Sequence, residues 1–174
     1  MDKSLRCAAD LPLGGAMSNQ RIQTPCVGLC STVYGDLVCR GCKRFHQEVV
    51  NWNAYRDEEK WAVWRRLETL LAQVMAAKVD VFDADLLRRQ LESRQIRFVA
   101  EQSPYCWAYQ LIARGSRVIQ QLEAYGVVVL PEFRQWSLPQ LRDAIDREFF
   151  LLSEAHYERY MAPRFLAPVT DRFA

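Results

Sequence analysis

Thr24-Pro25-Cys26-Val27-Gly28-Leu29-Cys30, followed eight residues later by Cys39-Arg40-Gly41-Cys42-Lys43-Arg44, is the stretch on which the reading of this chain turns. Two thiol pairs at short spacing, joined by a loop that carries a Gly35-Asp36 turn signal, can bring four sulfur ligands to one point. In the Cys-x2-Cys pair a single tight turn aims both sulfurs at one ion, and Gly41 stands where the backbone must bend without a Cβ clash. The Cys-x3-Cys pair is looser, and Pro25 stiffens its approach. Four thiolates around Zn²⁺ leave a net negative charge, which Arg40, Lys43 and Arg44 are placed to offset. The expected metal ligands are therefore Cys26, Cys30, Cys39 and Cys42.

Two other uses of these cysteines suit the sequence less well. Disulfides belong to oxidising compartments and small secreted scaffolds. A redox-active Cys-x2-Cys of thioredoxin type wants a βαβ setting, and no strand is evident before Cys39 in that form. A four-thiolate centre fits the pattern better than either. Tetrahedral sulfur ligation suits zinc and iron–sulfur clusters alike; paired knuckles at this spacing lean to zinc, but clusters also take four thiolates at variable spacing, so the sequence leaves the choice open.

Three features occur together here. They are Pro25-Cys26-Val27-Gly28-Leu29-Cys30, the knuckle Leu37-Val38-Cys39-Arg40-Gly41-Cys42, and Glu48-Val49-Val50-Asn51-Trp52 followed by the helix start Asp57-Glu58-Glu59-Lys60. In this combination the chain resembles the YdhL-like family over about residues 24–71. These are short bacterial proteins of unknown function, labelled as predicted iron–sulfur proteins. The resemblance implies an iron–sulfur cofactor and implies no reaction.

The 174 residues are 50% hydrophobic, enough for one ordinary domain or for a small metal module with a helical partner. With 23 basic and 21 acidic side chains, no global field argues for nucleic acid or an anionic membrane. Residues 1–23 contain Pro12, Gly14 and Gly15 and no periodicity, so they read as a flexible extension, and Met17 lies just ahead of the cysteine module. The stretch Leu11 to Met17 is too short and glycine-rich for a secretory core. No apolar run is long enough to span a bilayer. The expectation is a soluble cytoplasmic protein, whose reducing surroundings leave the thiols free to bind metal.

Periodicity makes the fold mostly α: a small four-cysteine metal-binding module followed by a helical, bundle-like region. The division expected is 24–80 for the module with its following helices and 81–174 for a helical region of unassigned role. Arg44 to Trp52 forms a short helix whose Phe45, Val49 and Trp52 cover the module. Asp57 caps a helix with Trp61, Trp64, Leu67, Leu71, Val74 and Met75 on its inner face. Asp83 or Asp85 starts the next, with Leu86, Leu87 and Leu91 inward, and Ile96 to Val99 is extended. Ser103-Pro104 opens a helix read through Trp107, Leu111, Val118, Leu122 and Tyr125 to a stop at Gly126, with Gly115 inside it. Val127 to Leu130 reads as a solitary buried connection. Ser137 and Pro139 open the last helix, with Leu138, Leu141, Ile145, Phe149, Leu152 and His156 inward and an Asp143–Arg147 pair on its wet side. The tail from Pro163 is irregular.

His46 and His156 read as a surplus to the ligand set and as a core or cap residue. Cys7 and Cys106 lie outside the cluster, Cys106 as a small buried side chain. No phosphate loop, nucleophile triad or metalloprotease motif is present. A closed four-ligand site has no open position for substrate, so an enzyme is not expected. The first functional reading is a metalloprotein whose single zinc or iron–sulfur centre is structural or transfers electrons, acting as an accessory or adaptor to a protein partner. The alternative is an RNA- or DNA-binding adaptor presenting Arg40, Lys43, Arg44, Arg65 and Arg66. Against it, residues 36–66 hold seven basic and five acidic side chains, a weak excess for phosphate binding.

Overall fold

The computed structural model describes residues 22–162. The expectations for the lead before residue 22, for Cys7 and for the tail from Pro163 lie outside the described residues. Within them the chain is mostly helical: α1 (His46–Val50), α2 (Asp57–Ala76), α3 (Ala84–Ser93), α4 (Pro104–Gly115) and α5 (Leu138–Tyr160), with two short strands, β1 (Val79–Val81) and β2 (Val127–Val129).

Helix α2 is the central element and packs on both α4 and α5. Val63, Leu67, Leu70, Leu71, Val74 and Met75 of α2 meet Leu111 and Ile112 of α4 and Leu141, Ile145 and Phe149 of α5 in one core, which Leu87 and Leu91 of α3 join. Trp64 is half-buried at its edge, but Trp61 is 45% exposed, so the apolar stripe begins one turn later than the pattern implied. The position before α2 is Arg56, and Asp57 is the first helical residue. Glu59 reaches back to accept the Arg56 backbone N–H at 2.8 Å. Where caps were read at Asp83, Ser103 and Ser137, each side chain accepts a backbone N–H of the first turn.

Two expectations are corrected around α4. The helix stops at Gly115: beyond it the Val118 N–H bonds only three residues back, to the Gly115 carbonyl (2.9 Å), and the Ile119 side chain folds over to lie where a Cβ on Gly115 would be. Val118, assigned to the inner face, is 80% exposed. The stretch from Val127 is not solitary either: β2 pairs antiparallel with β1 in the register Val79–Val129, Asp80–Val128 and Val81–Val127, with Val79 and Val127 fully buried. The pair ties together the two ends of the α3–α4 unit. Gly126, at φ 77°, closes a 3-10 turn (Glu123–Tyr125). On α5, Asp143 pairs with Arg142 (2.7 Å) in place of Arg147.

Apolar side chains of the cysteine segment pack on this bundle in two clusters. Val38 and Phe45 pack with Tyr157 near the end of α5, the Phe45 and Tyr157 rings meeting edge-on at 5.3 Å, while Trp52 enters the main core. Only His46–Val50 of the expected Arg44–Trp52 helix is helical. No helix among the described residues is long and apolar enough to cross a membrane.

Candidate metal centre

Residues 38–45 form a closed knuckle. Cys39 N–H donates to the Arg44 carbonyl, Lys43 N–H to the Cys39 carbonyl and His46 N–H to the Leu37 carbonyl, each at 2.8 Å. The left-handed residue of this turn is Lys43, at φ 59°, rather than Gly41. Gly41 has a different reason to be glycine: a Cβ there would run into the Leu29 carbonyl oxygen and lie 2.9 Å from Val27 Cγ2. The first thiol pair therefore presses directly on the second. Arg40 N–H donates to Ser31 Oγ at 2.8 Å, and the Cys39 thiol faces the Leu29 carbonyl at 3.6 Å, so three contacts hold the two loops side by side.

In the first loop Gly28, at φ 88°, turns its N–H toward Cys26 Sγ (3.4 Å), and Cys30 Sγ lies 3.0 Å from Thr32 Oγ1. Cys39 and Cys42 are buried and adjacent, Cys30 is half-buried and Cys26 exposed. The cysteine spacing predicts that all four sulfurs converge. Among the described residues, no three histidine, cysteine, aspartate or glutamate side chains converge as a ligand set for a metal. The structure brings together the thiols of Cys39 and Cys42 and the loops that carry all four. The reason is local: the second loop is closed by a ladder and by Lys43 beneath it, whereas residues 22–30 lie outside every helix and strand.

Burial raises the Cys39 thiol, but the backbone N–H groups of Cys42, Ser31 and Gly41 and the Cys42 thiol outweigh it and bring it down to about 7. Burial pushes Cys42 up, opposed by Arg44, whose Nε–H donates to Cys42 Sγ at 3.3 Å.

The basic residues separate. Lys43 is buried and donates to the Arg40 and Gly41 carbonyls (2.7 and 3.2 Å) and to Asp146 of α5, so it braces the turn and faces no sulfur. Arg44 is buried over the Trp52 ring. Arg66 pairs with Glu48 at 2.6 Å and lies 3.8 Å over the Phe45 ring. Arg40, paired with Asp36, and Arg65 are the two of the five that stand exposed. His46 is exposed at the start of α1, and His156 is half-buried against Tyr160. Cys106 is buried and pushed up to about 12 by desolvation and Glu68.

Sequence reasoning missed Ser31, Glu48 and Asp146. Glu48 had a signal: it sits three residues after Phe45 and accepts the Phe45 N–H (2.9 Å), as an acid does in the first turn of a helix.

A helical protein carrying a compact cysteine double loop is the class that fold and site define. Over residues 24–71 the chain matches the family described as DUF1289, a protein of unknown function. No curated protein and no solved structure matches the chain.

Proposed function

We propose that Cys26, Cys30, Cys39 and Cys42 hold one metal centre, Zn²⁺ or an iron–sulfur cluster, in a protein that serves a structural or electron-transfer role beside a protein partner. The observation that carries this reading is the contact of the two thiol loops at Gly41, which no side chain other than hydrogen permits. Soft thiolate ligands select zinc or iron–sulfur, and backbone N–H groups directed at Cys26 and Cys39 suit anionic sulfur. Binding requires Cys26 and Cys30 to close on the Cys39–Cys42 pair. Four protein ligands leave no open position, so the centre does not bind substrate. Exposed Val27, Leu29, Val33, Tyr34 and Leu37 on the same loops support the accessory role. Burial of Lys43 and Arg44, with Arg66 half-buried in its pair with Glu48, weighs against the nucleic-acid alternative.

The test is metal content after substitution. Cys39→Ser, and separately Cys26→Ser, should lose the bound metal, while Cys106→Ser should keep it. Metal retained at wild-type level in both of the first two variants would overturn the assignment.

A further inference from the structure

The ground beneath Cys42 is unusual in its charge. Arg44 is only 3% exposed, and among the described residues its side chain's one hydrogen bond is Nε–H to Cys42 Sγ at 3.3 Å, with Nη1 making none. Arg66 reaches the same place from α2. Its Nη2 pairs with Glu48, and its Nη1 is likewise without a partner among the described residues. Glu48 divides one carboxylate oxygen between Arg66 and the Phe45 N–H. Lys43 and Arg40, the other cations nearby, are turned away to Asp146 and Asp36. Among the described residues the buried Arg44 guanidinium thus has no carboxylate paired with it, the one beside it being paired with the half-buried Arg66, and a buried charge without its counter-charge is costly.

The sulfur of Cys42 is the group to which Arg44 donates, and Arg66, held over the Phe45 ring, lies near enough to act on it through charge alone. We infer that Arg44, Glu48 and Arg66 are positioning residues that set the charge of the metal centre: Arg44 donates to metal-bound Cys42, Arg66 reinforces it, and Glu48 attenuates both. This rests on the reading that the four thiols bind metal. Arg66 also ties the centre to α2, the middle of the bundle, so the centre and the helical half share a charged contact as well as a packed one. The opposite signs of the arginines and Glu48 separate this role from mere support of the fold. Removing an arginine weakens the centre, and removing the charge of Glu48 strengthens it.

The full chain, stripped of metal, is titrated with Co²⁺ alone and followed by sulfur-to-cobalt charge-transfer absorption. Arg44→Gln should bind about 10–100-fold more weakly, the range for loss of an outer-shell partner, and Arg44→Lys should fall between it and wild type. Glu48→Gln keeps an oxygen for the Phe45 N–H and should bind severalfold more tightly. In a chain purified with a cluster, the same substitutions should move the reduction potential in opposite directions, negative for Arg44→Gln and positive for Glu48→Gln. Should Arg44→Gln fail to fold, Glu48→Gln decides, and unchanged or weaker binding overturns the inference. Wild type that takes up neither cobalt nor a cluster defeats the metal reading and this inference together. Wild type that binds, with both variants unchanged, defeats this inference alone.

Discussion

Replacing Gly41 by alanine adds one carbon at the point where the two thiol loops touch. The new Cβ would lie 2.9 Å from Val27 Cγ2 and still closer to the Leu29 carbonyl oxygen. Carbon atoms in contact settle at about 3.5–4.0 Å, so the loops must part by roughly 0.6–1 Å. Val27 can rotate, but the Leu29 carbonyl is backbone and moves only with its loop. Zinc–sulfur bonds are about 2.3 Å long with little tolerance, so such a displacement takes a sulfur out of reach of a shared ion. Overpacking of this kind costs about 1–3 kcal/mol. Gly41→Ala should therefore lose metal first and thermal stability second, read as metal released to a chromophoric chelator and as the unfolding midpoint of the holo chain. Gly35→Ala is the control: no atom lies within 4 Å of its Cβ position, and the cost comes only from φ 97°. Metal affinity unchanged in Gly41→Ala would refute the view that the two loops form one site.

Lys43→Met removes the ammonium that joins two turn carbonyls to Asp146. Because Asp146 can turn to water, the loss should be about 1.5–3 kcal/mol in urea unfolding rather than the full penalty of a buried orphan charge. Ser137→Ala removes the oxygen that accepts the Gln140 N–H and should cost about 1 kcal/mol by the same measurement. Cys106, raised by burial from 9.0 to about 12, contributes stability that is whole below pH 9 and lost as pH climbs toward 12. Cys106→Ala should flatten that fall, and alkylation of native Cys106 at pH 8 as fast as in urea would show that the thiol is not enclosed.

The parts legible in the sequence were those governed by neighbours along the chain. Asp83, Ser103 and Ser137 announce their helices because a cap acts on the next three residues. The strand pair escaped because Val79 and Val129 lie fifty residues apart, and three residues are too few for alternation to show beside the pattern of α2. The end of α4 was misread because Val118, Leu122 and Tyr125 continue the helical spacing beyond Gly115; only the return of Ile119 over the glycine reveals the turn. At the centre, cysteine spacing located the thiol loops. Which basic side chains face sulfur was not legible, since the burial of Lys43 and Arg44 and the pairing of Arg66 depend on α2 and α5, which lie outside the knuckle.

Metal and acid-labile sulfide analysis of the full chain purified without oxygen, together with its absorption spectrum, tests the central claim most directly. One centre per chain is the predicted result: a colourless protein with one zinc, since Zn²⁺ is d¹⁰, or a brown one with iron and sulfide. The first would make the centre structural, and the second would make electron transfer its work. A chain prepared in this way that holds neither zinc nor iron in stoichiometric amount, with all four thiols free to alkylation, would contradict the account.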